Sequence, residues 1–119
     1  MTRNEITLRS RREIDKLFNE GDVYRGAHVV SIVRRVDKGP RRAMFVASRR
    51  VGNAVRRNRA KRVMREAYRG LAGKLSSDRI HLAWIARASC ARTGMREVRN
   101  NMKDILTKAG VTRTGQERV

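Results

Sequence analysis

A basic run over residues 49–69 offers the densest recognition chemistry in the sequence. It holds nine Lys or Arg residues and a single acid, Glu66. A guanidinium group can make paired hydrogen bonds to phosphate oxygens, so a face of such groups suits a polyanion. Like charges three and four residues apart repel in an isolated helix, which favours a neutralising partner over a plain solvated face. The basic residues are Arg49, Arg50, Arg56, Arg57, Arg59, Lys61, Arg62, Arg65 and Arg69.

The same run has the apolar periodicity of a helix that packs on one side. At about 100° per residue, one face carries Ala60, Val63, Met64, Ala67 and Leu71. The opposite face carries Asn58, Arg62, Arg65 and Arg69. Before the helix, Asn53 is a good N-cap candidate and Gly52 tolerates unusual backbone angles. The free N–H groups of the first turn would add a second anion-binding feature among these arginines.

The spacing within the run is more specific than its charge. Gly52 and Ala54 are followed at fixed distances by Arg57-Asn58-Arg59, Lys61-Arg62 and Arg65. This ordered set over residues 51–65 resembles the signature of the bacterial ribonuclease P protein component. The chain length, a leading helix before a glycine, and a strand and helix after the motif fit as well, so the resemblance covers roughly residues 7–109.

The resemblance implies the protein subunit of a ribonucleoprotein endonuclease that removes the 5′ leader of precursor tRNA. In that enzyme the RNA subunit with bound Mg²⁺ carries the catalysis, so the protein alone is expected to be non-catalytic and to bind no cofactor tightly. The implied partners are the ribonuclease P RNA and precursor tRNA, with no obligate protein partner. The implied RNA contacts are Gly52, Asn53, Ala54, Arg57, Asn58, Arg59, Lys61, Arg62 and Arg65, flanked by the other basic residues of the run.

The resemblance also implies a cleft for the leader between the first helix and the outer face of the sheet. Phe18 falls where the family usually has an aromatic residue, and it would either stack on an unpaired base or pack in the core. Ile14 and Val29 stand where relatives often carry Phe, and Ile32 where some carry Tyr, so the leader contacts are expected to be largely ionic. The expected cleft residues are Arg11, Arg12, Ile14, Phe18, Ile32, Arg34 and Arg87.

Length and composition restrict the function independently of any motif. The chain has 119 residues with 30 basic and 11 acidic side chains, a net charge of +19. This length predicts one domain, residues 1–119, with a modest core over about residues 7–110 and a flexible tail at 111–119. The charge predicts strong, salt-dependent attraction to nucleic acid. No apolar run approaches about 18 residues and no signal-peptide core is present, so we expect a cytoplasmic protein with no membrane partner.

The sequence offers little reaction chemistry of its own. His28 and His81 both fall in strand patterns, where a lone histidine is more often packed than catalytic. No His/Cys cluster has metal-ligand spacing, and no phosphate- or dinucleotide-binding glycine motif is present. Cys90 is a single cysteine, which suggests a buried or incidental thiol in a reducing compartment. Whether the protein holds any metal ion is left open.

Two other functional classes remain as alternative hypotheses. A ribosomal protein or RNA chaperone would explain the composition but not the spacing from Gly52 to Arg65. An autonomous nuclease or a DNA-binding protein is the third class, and it would require cleavage or binding by the chain without any RNA subunit.

The elements that position these residues can be predicted from capping and periodicity. Ser10 and Glu13 have the spacing of a capping box that opens a helix over residues 11–20, with Gly21 as a left-handed cap. Strands are predicted at residues 22–26, 27–36, 42–48 and 80–88, with the second and third forming a hairpin around a turn at 37–40. A last helix is predicted over residues 96–109, ended by Gly110.

This order predicts an α/β (α+β) two-layer sandwich with helices against a small sheet. The strand, basic helix and following strand form a crossover, which by default is right-handed if the strands are parallel and share one sheet. The resemblance implies instead an α-β-β-β-α-β-α fold with a four-stranded mixed sheet and a left-handed β-α-β crossover.

Overall fold

The computed structural model describes residues 6–75 and 79–112, within which three helices pack on one sheet. The strands are β1 (Ile6–Thr7), β2 (Asp22–Arg25), β3 (Val29–Arg35), β4 (Arg42–Val46) and β5 (Ile80–Ala86). The helices are α1 (Arg11–Glu20), α2 (Ala54–Leu71) and α3 (Met95–Lys108), with short 3-10 helices at Arg49–Val51, Ala72–Lys74 and Ala88–Ala91. The predicted α-β-β-β-α-β-α fold is confirmed, and the two-residue strand β1 is an addition to its four longer strands.

The strand order is β1-β4-β5-β3-β2, with β5 in the centre. Strand β5 is parallel to β4 and antiparallel to β3. The predicted hairpin of β3 with β4 is therefore wrong, because β5 separates the two and the antiparallel hairpin partner of β3 is β2. The burial of β5 explains this order. Six of its seven residues are buried and the other is half-buried, so β5 needs helices packed on both of its faces and a paired strand on each side.

The two faces of β5 belong to two separate cores. Ile80, Leu82 and Trp84 face α2 and α3 in the larger core, as their alternation predicts. Ala83 faces α1 in a smaller core with Leu17. Helix α2 thus packs on one face of the sheet and helix α1 on the other.

Helix α1 begins as predicted but ends differently. The Ser10 hydroxyl accepts a hydrogen bond from the Glu13 N–H at 3.3 Å, while the Glu13 carboxylate turns to Arg34 at 3.3 Å. Gly21 has extended angles (φ −75°, ψ 161°), so the predicted left-handed cap is wrong. Close packing explains the glycine, because a Cβ at this position would lie 2.6 Å from Cγ2 of Ile32.

The end of the last helix is partly as predicted. Gly110 has φ +74° and ends α3. Val111 and Thr112 do not begin a flexible tail: both are buried, and Thr112 pairs with Leu75 in an isolated bridge. The rest of the predicted tail, residues 113–119, and the predicted loop residues 76–78 lie outside the described part of the chain, as do residues 1–5.

Candidate nucleic-acid interface

Helix α2 divides into an apolar face and a basic face, as its periodicity predicts. The buried residues are Ala60, Val63, Met64, Ala67 and Leu71, together with Tyr68, which the sequence pattern did not indicate. The exposed residues opposite them are Asn58, Arg62, Arg65 and Arg69. The apolar face is held in the larger core, so the basic face is presented to solvent.

The entry into α2 is fixed by Gly52 and Asn53. Asn53 is the N-cap, and its side-chain oxygen accepts a hydrogen bond from the Arg56 N–H at 3.0 Å. Gly52 has φ +140°, and a Cβ there would lie 2.7 Å from Cδ of Arg56. The glycine is needed for both reasons. The entry brings the exposed residues Arg49 and Arg50 next to the first turn of α2.

Three arginines of α2 are held by neutral groups. Arg57 donates to the carbonyl oxygen of Gly52 at 2.8 Å, and Arg59 donates through Nε to the carbonyl oxygen of Ala91 at 3.0 Å. The guanidinium carbon of Arg65 lies 5.8 Å from the ring centroid of Phe45. A carbonyl or a ring fixes an arginine without cancelling its charge, and a guanidinium has five N–H donors, so donors remain for a ligand. These arginines are oriented before any anion binds.

Within the described part of the chain, acidic neutralisation of the basic face of α2 is slight. Within α2, Glu66 pairs with Arg69 at 3.3 Å, and both side chains are more than half exposed. Such an exposed pair contributes little, about 0–1 kcal/mol, to stability. The positive potential of the other basic residues is therefore available to a polyanion.

All the expected RNA contacts lie on α2 or its entry. Three of them, Gly52, Arg57 and Lys61, are half-buried. The exposed ones are Arg49, Arg50, Asn53, Ala54, Arg56, Asn58, Arg59, Arg62, Arg65 and Arg69. We call these thirteen residues the basic surface.

Helix α1 covers only part of the second face of the sheet. Leu17 packs on Ile32 and Ala83 in the smaller core. The next row on that face is Val30, Ile85 and Val46, which are in register across β3, β5 and β4 and are half-buried. We call these three residues the open row; they form an apolar strip beside α1.

The expected cleft residues do not all face this strip. Arg11, Arg12, Phe18 and Arg87 are exposed, and Ile14 is half-buried. Phe18 is 43% exposed, which argues against the core-packing alternative. Ile32 is a correction: it is only 6% exposed and is covered by α1. Val29 lies in the larger core.

Arg34 is also less available than the sequence suggests. Its guanidinium lies 3.3 Å from a Glu13 oxygen and 3.4 Å from a Glu20 oxygen, and its side chain is 19% exposed. Its charge is already paired within the protein. Arg11, Arg12 and Arg87 remain as the exposed cations among the expected cleft residues.

The two histidines serve the fold in different ways. His81 is 5% exposed, and burial lowers its pKa, with Arg34 and Arg42 acting in the same direction and Glu13, 3.7 Å away, opposing them. His28 precedes β3, and its Nδ1 lies 2.7 Å from the Ser89 hydroxyl. The side-chain oxygen of Asn101 accepts from the His28 N–H at 2.7 Å and from the next N–H at 3.1 Å.

Cys90 is fully buried, which is one of the two alternatives that the sequence left open. Burial raises the pKa of Cys90 to about 11, with Arg59 opposing the shift. A thiol of this kind is almost entirely protonated at neutral pH and is a poor nucleophile.

Comparison with known proteins gives the family. A family model described as "Ribonuclease P" matches residues 2–110. The chain belongs to the ribonuclease P protein family. It is 33% identical to the ribonuclease P protein component of Shouchella clausii over 110 residues, covering 92% of this chain and 89% of that protein. It is 32% identical to the corresponding protein of Dehalococcoides mccartyi, covering 93% of this chain and 90% of that one.

Solved structures of the family have the same fold. The ribonuclease P protein from Thermotoga maritima superposes with a TM-score of 0.73 at 28% identity, covering 84% of this chain and 94% of that chain. The RNase P protein of Staphylococcus aureus superposes with a TM-score of 0.77 at 19% identity, covering 90% and 97%, which shows a shared fold. Family membership makes the chain a component of ribonuclease P, an endoribonuclease, and implies association with the ribonuclease P RNA.

Residues 6–75 and 79–112 hold neither a metal-binding cluster nor a membrane-spanning helix. In those ranges no three His, Cys, Asp or Glu residues come together in a group that could hold a metal ion. Across the same ranges, no helix has the length and apolar character needed to cross a membrane.

Proposed function

We propose that this chain is the RNA-binding protein subunit of ribonuclease P, with the basic surface bound to the catalytic RNA and the α1 side bound to the 5′ leader of precursor tRNA. The observation that carries the proposal is the trio of arginines, Arg57, Arg59 and Arg65, held by neutral partners on the family signature. Arginines fixed in this way lose less rotamer freedom when phosphate groups bind.

The proposed contribution to the reaction is electrostatic. Two RNAs repel each other, and a basic surface between them lowers that repulsion and raises the local concentration of the substrate. The RNA subunit with bound Mg²⁺ supplies the phosphodiester hydrolysis. Glu13 pairs with Arg34 and Glu66 pairs with Arg69, so these two carboxylates are already engaged with arginines, which fits a metal held by RNA.

The leader is proposed to lie along the open row beside α1. Phe18 would stack on an unpaired base, since it is exposed and every base has an aromatic face. The half-buried apolar row would cover further base surface, and Arg11, Arg12 and Arg87 would contact phosphates. Ile32 and Arg34 would support the cleft from within, Ile32 beneath α1 and Arg34 through its two glutamates.

The setting proposed for this function is the cytoplasm, with the whole chain acting as one domain and without an obligate protein partner. The net charge of +19 makes a nucleic-acid partner the natural source of neutralisation.

The test is cleavage of a 5′-extended precursor tRNA at low Mg²⁺. Three reactions are compared: a bacterial ribonuclease P RNA alone, the RNA with this protein, and the protein alone. We expect cutting at the mature 5′ end to require the RNA and to be strongly increased by the protein. Cleavage by the protein alone would support an autonomous nuclease, and no effect of the protein on the RNA would favour an RNA chaperone.

A further inference from the structure

Phe45 stands at an uncovered edge of the sheet. Strand β1 pairs with β4 only at Arg42 and Ala43, so β4 beyond Ala43 has no neighbour on that side within the described residues. On its inner side Phe45 is in register with Trp84 of β5. Its ring is half-buried on the face of the sheet that α2 covers.

Phe45 packs against Tyr68, which in turn packs against Trp84, on the core side of the ring. The rings of Phe45 and Tyr68 are 5.9 Å apart at 64°, and the rings of Tyr68 and Trp84 are 6.0 Å apart at 52°. Tyr68 is 2% exposed and Trp84 is fully buried. Aromatic pairs in tilted or edge-to-face arrangements are favourable and directional, so the Phe45 ring has little freedom to turn away.

The outer side of Phe45 meets Arg65. The guanidinium carbon lies 5.8 Å from the ring centroid, within the range of a cation–π contact. Arg62 lies on the same exposed face of α2. It makes no cation–π contact with an aromatic ring of the described residues. The two arginines therefore differ in whether a ring orients them, although both carry one exposed charge.

We propose that Phe45 is a positioning residue for RNA binding, which holds Arg65 ready to contact an RNA phosphate without itself contacting the RNA. This inference rests on the proposed function of the basic surface. The ring fixes the guanidinium and leaves its charge whole, so the bound phosphate would meet a side chain whose rotamer freedom is already reduced. Removal of the ring should then lower affinity while leaving the number of ionic contacts unchanged.

The experiment measures binding to a bacterial ribonuclease P RNA at several salt concentrations. The variants are Phe45→Leu, Phe45→Trp, Arg65→Ala and the Phe45→Leu/Arg65→Ala double variant. The matched arginine controls are Arg62→Ala and the Phe45→Leu/Arg62→Ala double variant. A cation–π contact at an exposed site corresponds to about a two- to five-fold change in an equilibrium constant, so Phe45→Leu should weaken binding by about that factor. Its plot of log K against log salt should keep the wild-type slope, whereas Arg65→Ala should reduce the slope by about one.

Coupling distinguishes positioning from a general packing role. The double variant should bind no more weakly than Arg65→Ala alone, while Phe45→Leu should keep its full effect in the Arg62→Ala background. Phe45→Trp, which keeps an aromatic face, should retain wild-type affinity. Equal effects of Phe45→Leu in both backgrounds, or no effect of Arg65→Ala, would overturn the proposal.

Folding and the wider function are checked separately. Circular dichroism and thermal unfolding establish that each variant is folded, and Phe45→Met replaces Phe45→Leu if the latter is not. If wild-type protein binds an unrelated structured RNA as tightly as ribonuclease P RNA, the proposed function fails and this proposal fails with it. If the wild-type preference holds but the coupling is absent, only the role of Phe45 is overturned.

Discussion

Arg59 donates a hydrogen bond through Nε to the carbonyl oxygen of Ala91, at 3.0 Å. The contact joins α2 to the 3-10 helix Ala88–Ala91, which lies between β5 and α3. The two residues are 32 positions apart in the chain. The orientation of one arginine of the basic surface therefore depends on a segment that carries no part of the signature.

Replacement of Arg57 and Arg59 together by Ala should weaken binding to ribonuclease P RNA and reduce its salt dependence. Each phosphate contact contributes about 0.9 to the slope of log K against log salt, so the double variant should lose about two. Filter binding over a range of salt concentrations measures the slope. The matched control, Lys38→Ala with Lys108→Ala, removes the same charge from exposed positions outside the basic surface. An equal change in the control would mean that net charge alone controls binding.

Phe18→Ala should weaken binding of precursor tRNA more than binding of mature tRNA, because only the precursor carries a leader. Loss of one base-stacking contact is worth about 1–3 kcal/mol. Affinities of the holoenzyme for both substrates provide the comparison. Phe18 is 43% exposed, so its replacement should lower the free energy of unfolding by only about 1 kcal/mol. Equal losses for the two substrates would count against a leader-stacking role.

Leu17→Ala is the structural contrast to Phe18→Ala. Leu17 of α1 is fully buried against the sheet, and its truncation should cost about 2–5 kcal/mol of unfolding free energy. Denaturant unfolding should therefore separate these neighbouring residues clearly. A similar loss of stability in the two variants would show that Phe18 has a packing role after all.

Gly52→Ala should lower stability and RNA affinity together. The backbone angles of Gly52, φ +140° and ψ −156°, belong to a region that is almost restricted to glycine, and strain there costs about 1–3 kcal/mol. The new Cβ would also displace the Arg56 side chain. Gly73→Ala is the control, since a Cβ there would have no atom of the described residues within 4 Å beyond its chain neighbours, and its φ is not positive. Thermal unfolding and RNA binding of the two variants test this, and equal behaviour would contradict the strain argument.

Stability should fall as the pH drops below 6.5, in part because of His81. Its pKa is lowered from 6.5 in the folded protein, chiefly by burial, so the unfolded chain binds a proton that the folded protein resists. The unfolding free energy must then decrease as pH falls through 6.5 towards the folded pKa. His81→Gln should show a weaker decrease between about pH 7.5 and about pH 5.5 in denaturant titrations.

Glu13→Gln should change the pH dependence of stability in the opposite direction to His81→Gln. Glu13 raises the pKa of His81 against the larger effect of burial, with Arg34 and Arg42 lowering it. Without the carboxylate the pKa of His81 should fall further, and the loss of stability with falling pH should become steeper. A flatter profile in Glu13→Gln would show that the pH dependence arises elsewhere.

Local features of the fold could be predicted because their causes are local. The Asn53 cap depends on a side chain three residues from the N–H that it binds. The buried stripe of α2 depends on a repeat within one helix. The basic surface is thus predictable from the sequence, since charge and periodicity suffice to define it.

The features that sequence reasoning missed depend on contacts between distant segments. The central position of β5 is determined by the need to cover both of its faces, which no short pattern within β3 and β4 reveals. Gly21 is explained by Ile32 across a helix–sheet contact, and Arg65 is oriented by Phe45 from another element. The apolar run of β5 was the available signal for its central place. For the Arg65 contact the sequence contained no signal.

The central place of β5 also affects the order in which the protein can be completed on the ribosome. The basic surface, on α2 and its entry, emerges from the ribosome before residues 80–86 emerge. Until they follow, Trp84 and Leu82 are not there to cover Met64 and Tyr68, which share their core. A nascent chain whose β5 has not yet emerged has a basic helix without its apolar support, so the basic surface reaches its final form only near the end of translation.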